Sequence, residues 1–226
     1  MASRKTKAPP GVSTVITLGV LSLILGKVLA LASLASQPVS EVPSLPEDDE
    51  IGAGVVYYVK GSEISAAGWE VKRQAMLSGS NQMVALSESE LNQWSKRELN
   101  PAAVSSDTED ASSFFDIVTS PVNYRIGEDF LQLSTYVEVP SVMPGQKFLV
   151  VYKGHFETSA GGPKFIIDSG TVGRAPVGSL PVINRMFLKF LKNSFESTDD
   201  FVPIQEAYAG VEEVVIENGR LGFVRS

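Results

Sequence analysis

The hydrophobic positions of this chain change their period several times along its length. From Gly11 to Leu34 the run GVSTVITLGVLSLILGKVLALASL has thirteen Val, Leu or Ile residues, one base (Lys27) and no acid. At ~1.5 Å per residue such a helix is about 36 Å long, against ~30 Å for a bilayer's hydrocarbon core. The pattern therefore predicts a transmembrane signal-anchor over residues 11–35. Residues 37–52, QPVSEVPSLPEDDEIG, lose the apolar period and carry three prolines and five acids, a composition expected of a stiff charged spacer. GVVYYVKGS (54–62) is β-branched and aromatic and predicts a first strand. Ile64, Gly68, Val71 and Ala75 return at helical spacing and predict a helix over 64–77. Met83 to Leu86 suit a short strand. Ser87 and Glu90 then form a capping box opening a helix to about Leu99, stopped before Pro101. Residues 100–113 are expected to be a surface loop.

Period-two alternation dominates from there on. Two runs flank the turn Gly127-Glu128-Asp129. In the second, Leu131, Leu133, Thr135, Val137 and Val139 share one face, with Gln132, Ser134 and Glu138 on the other. KFLVVYKGHFETS (147–159) sets Phe148, Val150, Tyr152 and Phe156 opposite Lys153, His155 and Glu157. KFIID (164–168) is a further strand, and Gly170, Gly173, Pro176, Gly178 and Pro181 make a connection into a helix from about Leu180. On that helix Ile183, Met186, Phe187, Phe190 and Leu191 cover one broad face, and Arg185, Lys189 and Lys192 lie opposite. VEEVVIENGRLGFV (211–224) is a strand–NG–strand pattern, the strongest short hairpin signal.

Charge sharpens this picture. Arg4, Lys5 and Lys7 precede the apolar run and acids follow it, which predicts residues 1–10 in the cytoplasm and the bulk of the chain outside the cell membrane as a single-pass protein, periplasmic or on the cell surface. Ala30-Leu31-Ala32 and Ser33-Leu34-Ala35 also fit a cleaved signal peptide, although this run is longer than the usual apolar region. The whole chain is −7, and beyond residue 36 there are 15 bases against 26 acids, or −11. That balance argues against nucleic acid as a partner. Cysteine is absent, so no disulfide or thiolate metal site exists. Residues 53–226 are long enough for one packed α+β domain.

Candidate chemistry is sparse. The single histidine, His155, is assigned to a solvent-facing strand position, and no G-x-S-x-G elbow accompanies it. No HExxH or EF-hand spacing occurs, and the acids at 47–50, 199–200 and 212–213 lack loop geometry for calcium. Gly170, Gly173 and Gly178 are not followed by the Lys-Ser/Thr of a phosphate loop. The sequence thus offers no catalytic, cofactor or metal residues, and the expectation is a protein that is not an enzyme.

Two short motifs, ALSESELNQW (85–94) and DSGTVGRAPVG before Leu180-Pro181, follow an N-terminal anchor and precede an amphipathic helix. This order resembles membrane-anchored bacterial envelope proteins of the tubular lipid-binding (TULIP/SMP-like) superfamily, over about residues 55–226. The helix at 64–77 is additional to that plan. The resemblance implies a curved antiparallel sheet rolled around the amphipathic helix as a half-barrel, with a groove for acyl chains. Ile183, Met186, Phe187, Phe190 and Leu191 would then wall an apolar ligand, while Arg185, Lys189 and Lys192 would face headgroups. The expected function is binding or shielding a lipid or other apolar ligand at the membrane surface. The alternative is a scaffold or accessory subunit with an envelope protein partner.

Overall fold

The computed structural model describes residues 12–47, 52–79, 82–97, 118–141, 143–159, 162–179 and 201–225, with positions 185, 188, 192 and 196. Helix α1 (Val12–Ala35) ends where Ser36 N donates to Ala32 O at 3.0 Å. Its side chains are described from Gly19 onward, and Val20, Leu23, Ile24, Leu25, Val28 and Leu29 are all exposed. Among the described residues no helix is long and apolar enough to cross a membrane. The transmembrane signal-anchor, the single-pass topology and the extracytoplasmic placement built on it are corrected accordingly.

Strand β1 (Val39–Glu41) lies within the stretch expected to be an unfolded spacer. It pairs in parallel with β2 (Val56–Tyr58), Val39 opposite Val56. Helix α2 (Trp69–Ser78) begins five residues later than its periodicity indicates, because Gly68 at its N-cap is left-handed (φ 99°). The face differs too. Ile64 and Val71 are exposed, and Trp69 and Met76, two turns apart, are buried instead. Strand β3 (Met83–Ser87) leads into α3 (Glu88–Arg97) through the expected capping box. Ser87 N donates to Glu90 Oε2 at 2.8 Å, and Glu90 N donates to Ser87 Oγ at 3.4 Å.

Strands β4 (Val118–Thr119) and β5 (Asn123–Ile126) both pair with β6 (Leu131–Glu138), so one edge of the sheet is a single line interrupted at Ser120-Pro121. Proline has no N–H for a ladder, which accounts for the break. β7 (Lys147–Ser159) and β8 (Gly162–Val172) complete a long antiparallel ribbon, with β9 (Ala175–Pro176) and a 3-10 turn (Val177–Ser179) after it. β8 runs through Gly170, where the sequence indicated a connecting segment. Helix α4 (Phe201–Ala209) precedes the hairpin of β10 (Val211–Glu217) and β11 (Arg220–Arg225). Asn218 (φ 50°) and Gly219 (φ 68°) form its two-residue turn, both left-handed as that turn type requires.

The fold is α+β. Its described strands make three sheets, β1–β2, β3–β11–β10 and the six-stranded β4/β5–β6–β7–β8–β9, in place of the one curved sheet expected of a half-barrel. The largest apolar cluster joins α2, α3, β3, β10 and β11 through Trp69, Met76, Leu86, Trp94, Val211 and Phe223. A second core joins β1 and β2 to the opposite face of the ribbon, through Val56, Tyr58 and Leu149.

Candidate functional site

On that second face the register sets up a row of polar side chains. Arg125 stands opposite Gln132, Gln132 opposite Lys153, and Lys153 opposite Ser169, so four strands contribute to one line. Directly paired residues share a face. Two residues along, the next row is Asn123, Ser134, Val151 and Thr171, and beyond it come Tyr136 and Leu149. A bulge between Lys153 and Gly154 leaves Asp168 unpaired. The extra residue switches β8 by one position. Phe165 stays on the side of Phe156, with ring centroids 5.3 Å apart, and Ser169 and Thr171 turn to the polar face.

The segment from Tyr58 to Glu63 covers part of these rows through directional bonds. Tyr58 Oη lies 2.5 Å from Ser134 Oγ and donates to Asn123 Oδ1 at 3.2 Å. Burial raises this phenol's pKa to about 12, with the Ser134 hydrogen bond pulling the other way. Gln132 Nε2 donates to Val59 O at 3.1 Å, and Gly61 N donates to Asn123 Oδ1 at 2.7 Å. A Cβ on Gly61 would stand 1.8 Å from Tyr124 O, so only glycine permits this approach. Gln132 and Ser134 are therefore buried (3% and 2% exposed), not on the solvated face that alternation assigns them.

Helix α3 holds the outer edge of β5. Glu88, Asn92 and Ser95 project from one side of the helix, at i, i+4 and i+7. Ile126 N donates to Glu88 Oε2 at 2.8 Å and Tyr124 N to Asn92 Oδ1 at 2.6 Å. Asn92 Nδ2 donates to Tyr124 O at 2.8 Å and to Ser62 O at 2.9 Å, while Ser95 Oγ donates to Val122 O at 2.5 Å. Ser62 N also donates to Glu88. Three side chains thus do for this edge what a neighbouring strand would do.

What remains uncovered is a cleft of about 330 Å³ between β2 and the β7–β8 face. Arg125, Lys153 and Arg174 line it together with Ser169 and Thr171, against Val56, Tyr57 and Val151. The Arg125 guanidinium lies 5.9 Å and the Lys153 ammonium 5.3 Å from the centre of the Phe130 ring, so both cations share one aromatic support. Among the described residues no carboxylate lines the cleft or pairs with these three cations. Arg174 is fixed by its backbone, whose N–H donates to Leu34 O of α1 at 3.0 Å.

No family model, curated protein or solved structure matches the chain. None of these comparisons identifies the tubular lipid-binding superfamily.

Of the residues expected to wall an apolar ligand, Ile183, Met186, Phe187, Phe190 and Leu191 lie outside the described residues, as does Lys189. Arg185 and Lys192 are exposed helical positions, and Lys192 pairs with Glu196 at 3.5 Å. The structure brings neither of them to the cleft. His155 lies beside Asp168 (Nδ1 to Oδ2, 2.9 Å) and Glu157 (Nε2 to Oε1, 3.3 Å). Those hydrogen bonds, the Asp168 one foremost, raise its pKa above 6.5. Among the described residues no group of three His, Asp or Glu side chains could hold a metal ion. The cleft cations escape sequence reasoning because Arg125, Lys153 and Arg174 are 28 and 21 residues apart and carry no shared motif. Lys153, placed opposite Tyr152 by alternation, is the one partial signal.

Proposed function

We propose that the protein is a non-enzymatic binder of a small organic anion, held in the cleft beneath β2. The observation that supports this reading is the set of three cations, Arg125, Lys153 and Arg174, gathered without a carboxylate among the described lining residues of a chain that is −7 overall. Arg125 and Lys153, held beside the same Phe130 ring, repel each other, and an anion in the cleft relieves that repulsion while forming charge-assisted hydrogen bonds. Gln132, Ser169 and Thr171 supply polar groups in fixed positions, and Val56 and Val151 an apolar flank. The lining favours a small anion over the lipid or other apolar ligand expected from the amphipathic helix that begins near Leu180.

Isothermal titration of the full chain with phenyl phosphate, and with phenol as its uncharged counterpart, tests the proposal. Saturable binding of the phosphate is expected, with affinity falling about 10-fold or more in Lys153→Met, since a charge-assisted bond contributes about 1.5–3 kcal/mol. Equal uptake of phenol, or no effect of the substitution, would overturn it.

A further inference from the structure

The backbone positions that carry the three cations are not at one place in the cleft. Arg125 and Lys153 belong to the row that runs through Gln132 and Ser169. Arg174 belongs to the other end, because Gly173 N donates to Leu149 O at 2.7 Å and so seats the Gly173–Arg174 turn beside Leu149. Lys153 and Leu149 are four residues apart on β7, about 13 Å along an extended strand. Between the two ends the floor is Val151 and Thr171, and Val56 and Tyr57 lie among the residues on the β2 side. Gly173 is left-handed (φ 56°), and a Cβ there would stand 2.5 Å from Ala35 O, so the turn that carries Arg174 is held in position by α1.

We infer that the cleft selects an elongated ligand with an anionic group at each end: one end on Arg125 and Lys153 over Phe130, the other on Arg174, with an uncharged middle across Val151 and Thr171. This rests on the anion-binding reading above and adds to it a length and a second charge. A compact monoanion could use only one end and would leave the other cation unpartnered.

The test is a series of unbranched α,ω-dicarboxylates and matching monocarboxylates, titrated into the full chain by calorimetry. Chains of about eight to twelve carbons place their ends about 9–14 Å apart at ordinary bond lengths. Affinity is expected to peak there, about 10-fold or more above the monocarboxylate of equal length. Arg174→Met and Lys153→Met should each lower the dicarboxylate to the level of the monocarboxylate and change the monocarboxylate less. The length series uses unaltered protein, so it stands even if a variant folds poorly. Equal affinity of mono- and dicarboxylates, or no dependence on length, overturns the two-ended site and leaves anion binding intact. Phenyl phosphate binding without any dicarboxylate binding does the same. Failure of both ligand classes overturns both readings.

Discussion

The two faces of the β6–β7–β8 ribbon are covered by different means. On one, Leu131 packs into the large cluster with Trp69, Leu86, Trp94 and Phe223, where contact area does the holding. On the other, a smaller apolar cluster of Val56, Tyr58 and Leu149 is joined by hydrogen bonds that tie Tyr58, Asn123, Gln132 and Ser134 to defined partners. Apolar burial is non-directional and tends to fill space completely. Hydrogen bonds fix a few atoms and leave the ground between them open. The cleft lies on the second face. A cover attached at points can shelter a polar cavity that an apolar layer would have closed.

The contrast is broken most severely at Trp94, which is 4% exposed. Trp94→Ala should cost about 3–5 kcal/mol. Chemical denaturation is expected to show that loss, and a cost below about 1 kcal/mol would contradict the assignment of this face as the main core. A smaller effect is expected on the hydrogen-bonded face. Tyr58→Phe removes the hydroxyl's bonds to Ser134 Oγ and Asn123 Oδ1, leaves Ser134 Oγ its bond to Asn123 O, and should cost about 1–3 kcal/mol. Adding Ser134→Ala removes the other partner of the same contact, so the double variant should lose less than the two single losses added together. Strict additivity would show that the Tyr58–Ser134 contact holds nothing.

The smallest effect belongs to the α3 start, and it depends on pH. Burial pushes the Glu90 carboxyl up, but Lys72 at 2.7 Å and the Ser87 donors outweigh it and hold the group below 4.5. A carboxyl depressed by folding adds stability above its unfolded value and loses it as pH falls through the folded value. Glu90→Gln should therefore lower Tm at pH 7, by an amount worth about 1 kcal/mol. The gap should narrow progressively below about pH 4.5 and close in stronger acid. A gap that persists unchanged at low pH would mean that the charge contributes nothing.

The sequence made some of this legible and hid the rest for identifiable reasons. Asn218-Gly219 and the Ser87/Glu90 box are local signals, complete within four residues, and both elements form as their residues indicate. Gln132 and Ser134 alternate with apolar residues and so mimic a solvated face. Their cover, Tyr58, is 76 residues away from Ser134, beyond any periodicity. The α2 helix misled because Ile64 and Ala75 fit a helical period that the left-handed Gly68 interrupts. The cleft needed three things at once: the β5–β6–β7–β8 register, the unpaired Asp168, and the placement of the Gly173 turn. Only the residues of the last are adjacent in sequence.

The joint between α1 and the Gly173–Arg174 turn has a mechanical meaning. The last carbonyls of a 24-residue rod rest on the turn that presents Arg174, through a hydrogen bond from Arg174 N to Leu34 O. A Cβ at Gly173 would stand 2.5 Å from Ala35 O, so a side chain there would push the helix end and the Arg174 turn apart. The end of α1 and the turn that carries Arg174 therefore form one structural unit, joined by backbone alone.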